Sequence, residues 1–154
     1  MFQQTYTSLN DFEAALTTNA TPQQITFEAK GRLLTASHQP VPNFQTNYHL
    51  TYTLTESSVE ITASVESALS APTQFILPVI ASSAQAITQP DPKTIQIKKP
   101  TGTLTIRTDA AKGFDPIPAE RTFNLVPGFE CIPITITMQP GQRVQIRLEA
   151  VLKS

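Results

Sequence analysis

Residues 132–150 read Ile-Pro-Ile-Thr-Ile-Thr-Met-Gln-Pro-Gly-Gln-Arg-Val-Gln-Ile-Arg-Leu-Glu-Ala. Ile132, Ile134, Ile136 and Met138 alternate with Pro133, Thr135 and Thr137. After Pro140-Gly141, Val144, Ile146, Leu148 and Ala150 alternate with Arg143, Gln145, Arg147 and Glu149. A period of two sends successive side chains to opposite faces of a pleated strand. Pro-Gly suits the centre of a type II turn: proline fixes the first φ, and glycine accepts the positive φ that follows. The stretch predicts two strands joined as a hairpin, each with one apolar face.

The same pattern recurs upstream. Tyr48, Leu50, Tyr52 and Leu54 alternate with His49, Thr51, Thr53 and Thr55; after Glu56-Ser57, Val59, Ile61, Ala63 and Val65 do the same. Two such arms around a short polar turn predict a hairpin with one wet face. Ile95 and Ile97 pair with Leu104 and Ile106 across Pro100-Thr101-Gly102. Ile25, Phe27 and Ala29 form another alternating run, Gly31 marks a turn, and Arg32 to Ala36 reads as a returning strand. Phe123 and Leu125 alternate with Thr122 and Asn124. Phe75 to Ile80 is a continuous apolar run, covered on both faces or bulged, and Pro78 confines it to an edge or a bulge.

Four segments lack this period, and His38 to Asn47, with Pro40 and Pro42, reads as loop. Ser8 to Leu16 predicts a short helix of about two turns, with Ser8 as its cap, Asp11 near its N-terminus, and Phe12 and Leu16 on one face. Ala81 to Lys93 and Thr108 to Arg121 read as loops. The expected fold is therefore all-β: an antiparallel two-layer β-sandwich of about nine or ten strands with one short N-terminal helix. It forms one domain over 1–154, with helix and lead-in at 1–24 and the sandwich at 25–154. A chain of 154 residues is long enough to bury a core without disulfide or metal.

Charge and composition exclude several functions. The formal net charge is −1, and Lys98-Lys99 is the only adjacent basic pair. Nucleic-acid binding through counterion release needs a basic cluster, so no nucleic-acid partner is expected. No run approaches the roughly 18 apolar residues of a membrane span, and no membrane partner is expected. Five scattered glycines make no phosphate-cradling loop. One cysteine, Cys131, and two histidines, His38 and His49, do not make a zinc site; Cys131 beside Ile132 reads as a small buried hydrophobe.

The remaining candidates are few. Phe44, Phe114 and Phe129 fall in loops and are the aromatics expected to be exposed for ligand stacking. His38 lies in a proline-containing loop and is a further ligand-binding candidate, whereas His49 reads as an exposed strand residue. Asp109, Asp115 and Glu120 are weak calcium candidates in the long loop, where Lys112 and Arg121 serve equally well as simple counter-charges. No resident cofactor is otherwise expected, and no catalytic residue is assigned.

Gly31-Arg32-Leu33, the hairpin from Tyr48 to Glu66, the run Phe75 to Ile80, and Pro127-Gly128-Phe129 with the strands that follow occur in an order that resembles the C-terminal β-sheet region of heparinase II/III-like polysaccharide lyases. In that family a helical toroid precedes the sheets and supplies most of the catalytic Tyr and His. This sequence has no toroid, so the resemblance implies a noncatalytic accessory module whose partner is a preceding catalytic domain or carbohydrate. It would pack on the catalytic domain through an exposed apolar patch. Two other readings stay open: a stand-alone glycan- or peptide-binding module, and a small hydrolase or lyase using His38 with acids of the 109–120 loop. Met1 to Asn10 has neither a positive nor an apolar leader region. The expected compartment is cytoplasmic if the chain is complete, and periplasmic or secreted if it is part of a lyase.

Overall fold

The computed structural model describes residues 5–43, 45–67, 71–122, 126 and 128–152. Among them ten strands form, all paired antiparallel: β1 Ala15–Ala20, β2 Ile25–Arg32, β3 Thr46–Leu54, β4 Ser58–Ser67, β5 Thr73–Ile80, β6 Ile87–Asp91, β7 Thr94–Lys99, β8 Gly102–Thr108, β9 Cys131–Met138 and β10 Arg143–Leu152. Eight lie in one sheet in the order β1-β2-β3-β4-β10-β8-β7-β6, and β5 pairs with β9 in a second. The all-β sandwich expected from alternation is the observed architecture.

Register shows why the sheets pack. Ile61 opposes Ile146, Ala63 opposes Val144, and Ile106 opposes both Leu148 and Ile95, so one face of the large sheet carries an aliphatic stripe. The small sheet presents Phe75, Val79, Ile132, Ile134, Ile136 and Met138, and the two sets bury one another. Their outward neighbours are Thr, Gln, Arg and Glu on the large sheet. The inward set drives the fold by removing apolar surface from water. Cys131 is buried, as its apolar setting suggested.

The 132–150 stretch holds a correction. Pro140-Gly141 does form the turn: Gln142 N–H donates to Gln139 O at 3.0 Å, and Gly141 has φ 73°. Its arms nevertheless do not pair. β9 bonds to β5, and β10 lies between β4 and β8. The turn carries the chain from one layer to the other, so the apolar faces of β9 and β10 meet across the core. A hairpin would point both faces the same way.

Other expectations shift for local reasons. The helix expected over Ser8–Leu16 is a single 3-10 turn, Ser8–Asn10, capped by Thr7, whose side chain accepts from Leu9 N–H at 3.2 Å. Ala15–Ala20 is strand, because β-branched Thr17 and Thr18 pair with Glu28 and Phe27. Gly31 lies inside β2, opposite Tyr48, not at a turn. There a Cβ would come within 2.1 Å of Asp11 Oδ2 and 2.8 Å of the Tyr48 hydroxyl. Leu34 makes only isolated bridges to Thr7 and Pro40, so Arg32–Ala36 is no returning strand. Ile87–Asp91 is a strand where a loop was expected; Pro90 is accommodated because β6 ends the sheet. β5 is covered on one face only, leaving Ile76 and Ile80 exposed, and its Pro78 opposes Pro133 in a sheet of two strands that are both edges. The strand expected around Phe123 and Leu125 lies outside the described residues.

Burial raises the Tyr52 phenol above its ordinary value of 10.0; for Tyr48, burial and then the nearby Asp11 carboxylate do the same. A raised folded-state value stabilises the fold below the unfolded value, and that contribution is lost as pH climbs through the folded one. Tyr52→Phe is therefore expected to lose less stability than the parent chain above about pH 10, read from urea midpoints measured across that window.

Candidate functional site

The two layers are unequal, and that mismatch creates the main surface feature. The small sheet covers the inner face over β4, β10, β8 and β7, where Ile61, Val144, Ile146, Ile106, Ile95 and Ile97 are all buried. Cover thins over β3, where Leu50 and Tyr52 are only partly buried. At β2 and β1 it ends. Register puts Ile25 opposite Leu54, Phe27 opposite Tyr52, and Leu16 opposite Ala29, so all continue the core face. Yet Phe27 is 41% exposed and Leu16 76% exposed, and every residue of β1 is exposed. The core stripe runs on into solvent.

The segment before β1 borders this overhang. Asp11 Oδ2 accepts from Arg32 N–H at 2.6 Å and lies over Gly31 beside the Tyr48 hydroxyl. Leu9 and Phe12 project into solvent, and the Phe12 ring lies 4.9 Å from His38. A contiguous exposed apolar surface rimmed by polar groups is the physical signature of a binding face.

The opposite face of the large sheet is polar. Glu60, Arg147, Glu149 and Arg107 form a ladder across β4, β10 and β8, with Arg147 Nε to Glu149 Oε1 at 2.9 Å and Arg107 Nη1 to Glu149 Oε2 at 3.0 Å. Glu28 pairs with Lys30 at 3.2 Å and lies 3.7 Å from His49 Nε2, so His49 is a solvated strand residue. These exposed pairs balance one another and contribute little stability.

Two open clefts flank residues 116–121. One, of about 420 Å³, is lined by Ser83, Ala119, Glu120, Arg121 and Glu130; the other, of about 470 Å³, includes Ile87, Gln89 and Ile117. Arg121 and Glu130 in these clefts are engaged with backbone groups. Arg121 Nε donates to Ala81 O at 3.1 Å and its Nη2 to Gln85 O at 3.3 Å, and Glu130 Oε2 accepts from Ser83 N–H at 2.7 Å. Lys99 Nζ donates to Ile80 O and Gln85 Oε1, and burial lowers its pKa.

The candidates named from sequence disperse. Phe114 is not an exposed stacking ring: it is 5% exposed and belongs to the core. Gly113, at φ 78°, turns it inward, and Phe114 N–H donates to Pro92 O at 2.7 Å. Phe129 is exposed, as expected, after Gly128 at φ 82°. Phe44 lies outside the described residues. His38 is exposed in a left-handed conformation, φ 59°, with Nδ1 2.9 Å from Asn10 O.

Asp109 Oδ1 accepts from Gln145 N–H at 2.7 Å, Asp115 Oδ2 accepts from the Thr137 hydroxyl at 3.0 Å, and Glu120 lines a cleft. Among the described residues no three His, Cys, Asp or Glu side chains gather as cation ligands. His38 contacts the 10–12 segment, whereas the 109–115 stretch is tied to Pro92, Thr135, Thr137 and Gln145. No described contact joins the two. Sequence reasoning missed the overhang because Ile25 and Phe27 carry the same alternation as buried strands.

Residues 2–151 match the family model described as the ulvan lyase C-terminal domain. A broad-specificity ulvan lyase from Formosa agariphila is 30% identical over 133 residues, 86% of this chain and 21% of that protein. The chain thus spans about a fifth of the length of that curated relative. A solved structure from Escherichia coli K12, described as an aldose 1-epimerase, superposes with a TM-score of 0.50 at 10% identity, covering 92% of this chain and 69% of the other. That likeness concerns the fold alone. The family match and the Formosa relative support the resemblance to the C-terminal region of polysaccharide lyases.

Proposed function

The chain belongs to the ulvan lyase C-terminal domain family, and from that premise we propose that it is a noncatalytic accessory module that docks on the catalytic region of a polysaccharide lyase. The observation that carries this reading is the uncovered core stripe of Leu16, Ile25 and Phe27 at the β1–β2 end of the large sheet. Water-exposed aliphatic and aromatic side chains in core register find their cover in another body. The scattered candidates, with His38 apart from the 109–120 acids, favour this over a hydrolytic centre. The heparinase II/III-like class of the catalytic region, and ulvan as the polymer that it cleaves, belong to the same proposal.

The test pairs this chain with the lyase catalytic region encoded in the same genome. Leu16→Asp with Phe27→Asp is expected to weaken association at least tenfold in sedimentation analysis. The β-sheet circular dichroism should be kept, because both side chains are already exposed. Unchanged association in the double variant would overturn the docking reading.

A stand-alone glycan module is the second reading, favoured by the exposed loop ring of Phe129. One ring gives a small stacking face, so it ranks below docking.

A further inference from the structure

The two ends of the large sheet are finished differently. At one end β6, Ile-Thr-Gln-Pro-Asp, carries Pro90 and a register shift between Thr88 and Asp91. Proline, bulges and charge are the devices that blunt a sheet edge against further strands. At the other end β1, Ala-Leu-Thr-Thr-Asn-Ala, has no proline and no charge. It pairs without interruption from Ala15↔Lys30 to Ala20↔Ile25 and, among the described residues, with β2 alone.

The free backbone groups of β1 can be identified. Thr21 N–H donates to Gln24 O at 2.8 Å, closing the β1–β2 turn. Antiparallel pairs alternate between hydrogen-bonded and non-bonded. Stepping by two, Asn19, Thr17 and Ala15 aim their N–H and C=O at β2, while Leu16, Thr18 and Ala20 aim theirs away from the sheet. The side chains of Leu16, Thr18 and Ala20 lie on the same inner face as Phe27 and Ile25. An open ladder therefore runs beside the uncovered apolar face.

Resting on the docking reading above, we propose that β1 accepts an extended segment of the lyase catalytic region as a ninth strand of the large sheet. The apolar residues of that partner then cover Leu16, Ile25 and Phe27. A second copy of this chain fits less well. Edge-to-edge pairing of two β1 strands leaves the inner faces of both copies in water, and so narrow a contact falls short of the roughly 1,200 Å² of a stable interface. A larger body supplies both the strand and the cover. In the Formosa relative, where the matched region is 21% of the length, most of the protein lies outside it. Strand addition gives affinity through main-chain hydrogen bonds, and alternate side chains give specificity.

The test uses the catalytic region encoded in the same genome and the variant Thr18→Pro, which deletes an outward N–H and spares the β2 ladder. Association should weaken at least tenfold. In the parent complex, amide exchange at Leu16, Thr18 and Ala20 should slow at least tenfold relative to the free chain. If Thr18→Pro binds like the parent, or these amides stay unprotected while Phe27→Asp still abolishes binding, docking survives and strand addition is overturned. If neither variant weakens binding, the docking reading falls and takes this proposal with it. Should Thr18→Pro lose its sheet signal, the exchange measurement on the unsubstituted chain decides.

Discussion

Phe114→Ala is expected to cost about 3–5 kcal/mol, the range for emptying a buried aromatic site. Phe114 lies in an irregular segment with Pro116 and Pro118 downstream, a setting that ordinarily means surface. The segment is instead fastened to the sandwich by backbone bonds: Asp109 N–H to Gln145 O at 3.1 Å, Phe114 N–H to Pro92 O at 2.7 Å, and Asp115 N–H to Thr135 O at 2.9 Å. These bonds hold the ring against the core, and truncation leaves a void that such anchored walls close only in part. Urea denaturation reads the loss as a lower midpoint at unchanged slope. Phe129→Ala is the matched control: exposed, it should change stability by less than about 0.5 kcal/mol. Equal effects of the two substitutions would refute the assignment of Phe114 to the core.

The second large effect is expected at Ile134→Ala, about 2–5 kcal/mol. Ile134 is 2% exposed on β9, opposite Leu77 of β5, and its face meets the stripe of the large sheet. β5 supplies the comparison. Ile76, one residue from Leu77, points outward and is exposed, so Ile76→Ala should stay within about 0.5 kcal/mol. Two isoleucines of the small sheet then differ several-fold in cost, because strand periodicity sends one inward and one outward. If Ile76→Ala cost as much as Ile134→Ala, the outer face of the small sheet would have to be covered.

Much of the fold was legible in the residues. The arms Tyr48–Leu54 and Val59–Val65 pair as alternation predicted, with Leu50 opposite Ala63. Ile95 and Ile97 pair with Ile106 and Leu104. Local sequence was enough there, because the strands on either side of those turns stay in one sheet. It misled where two structures share one local signal. Phe12 and Leu16 lie four apart, the spacing of a helical face, yet Leu16 lies on a strand whose pairing with β2 outweighs that hint. The candidate site was less legible. Phe114 was found in the core, and the docking face came from residues that read as ordinary core strand.

By itself the sequence determined the class of most elements, the face of most strands that turns inward, and most of the places where the chain reverses. Each of these is set by neighbours a few residues apart: a period of two, a Pro-Gly pair, a proline that cannot donate. Only the tertiary structure decided which strands became partners, that β9 and β10 part into opposite layers at Pro140-Gly141, and that the large sheet outruns its cover at β1 and β2. The reason is physical. An apolar side chain carries the same hydrophobic signal whether or not a second layer reaches it, and whether one does depends on pairings between residues far apart in the chain.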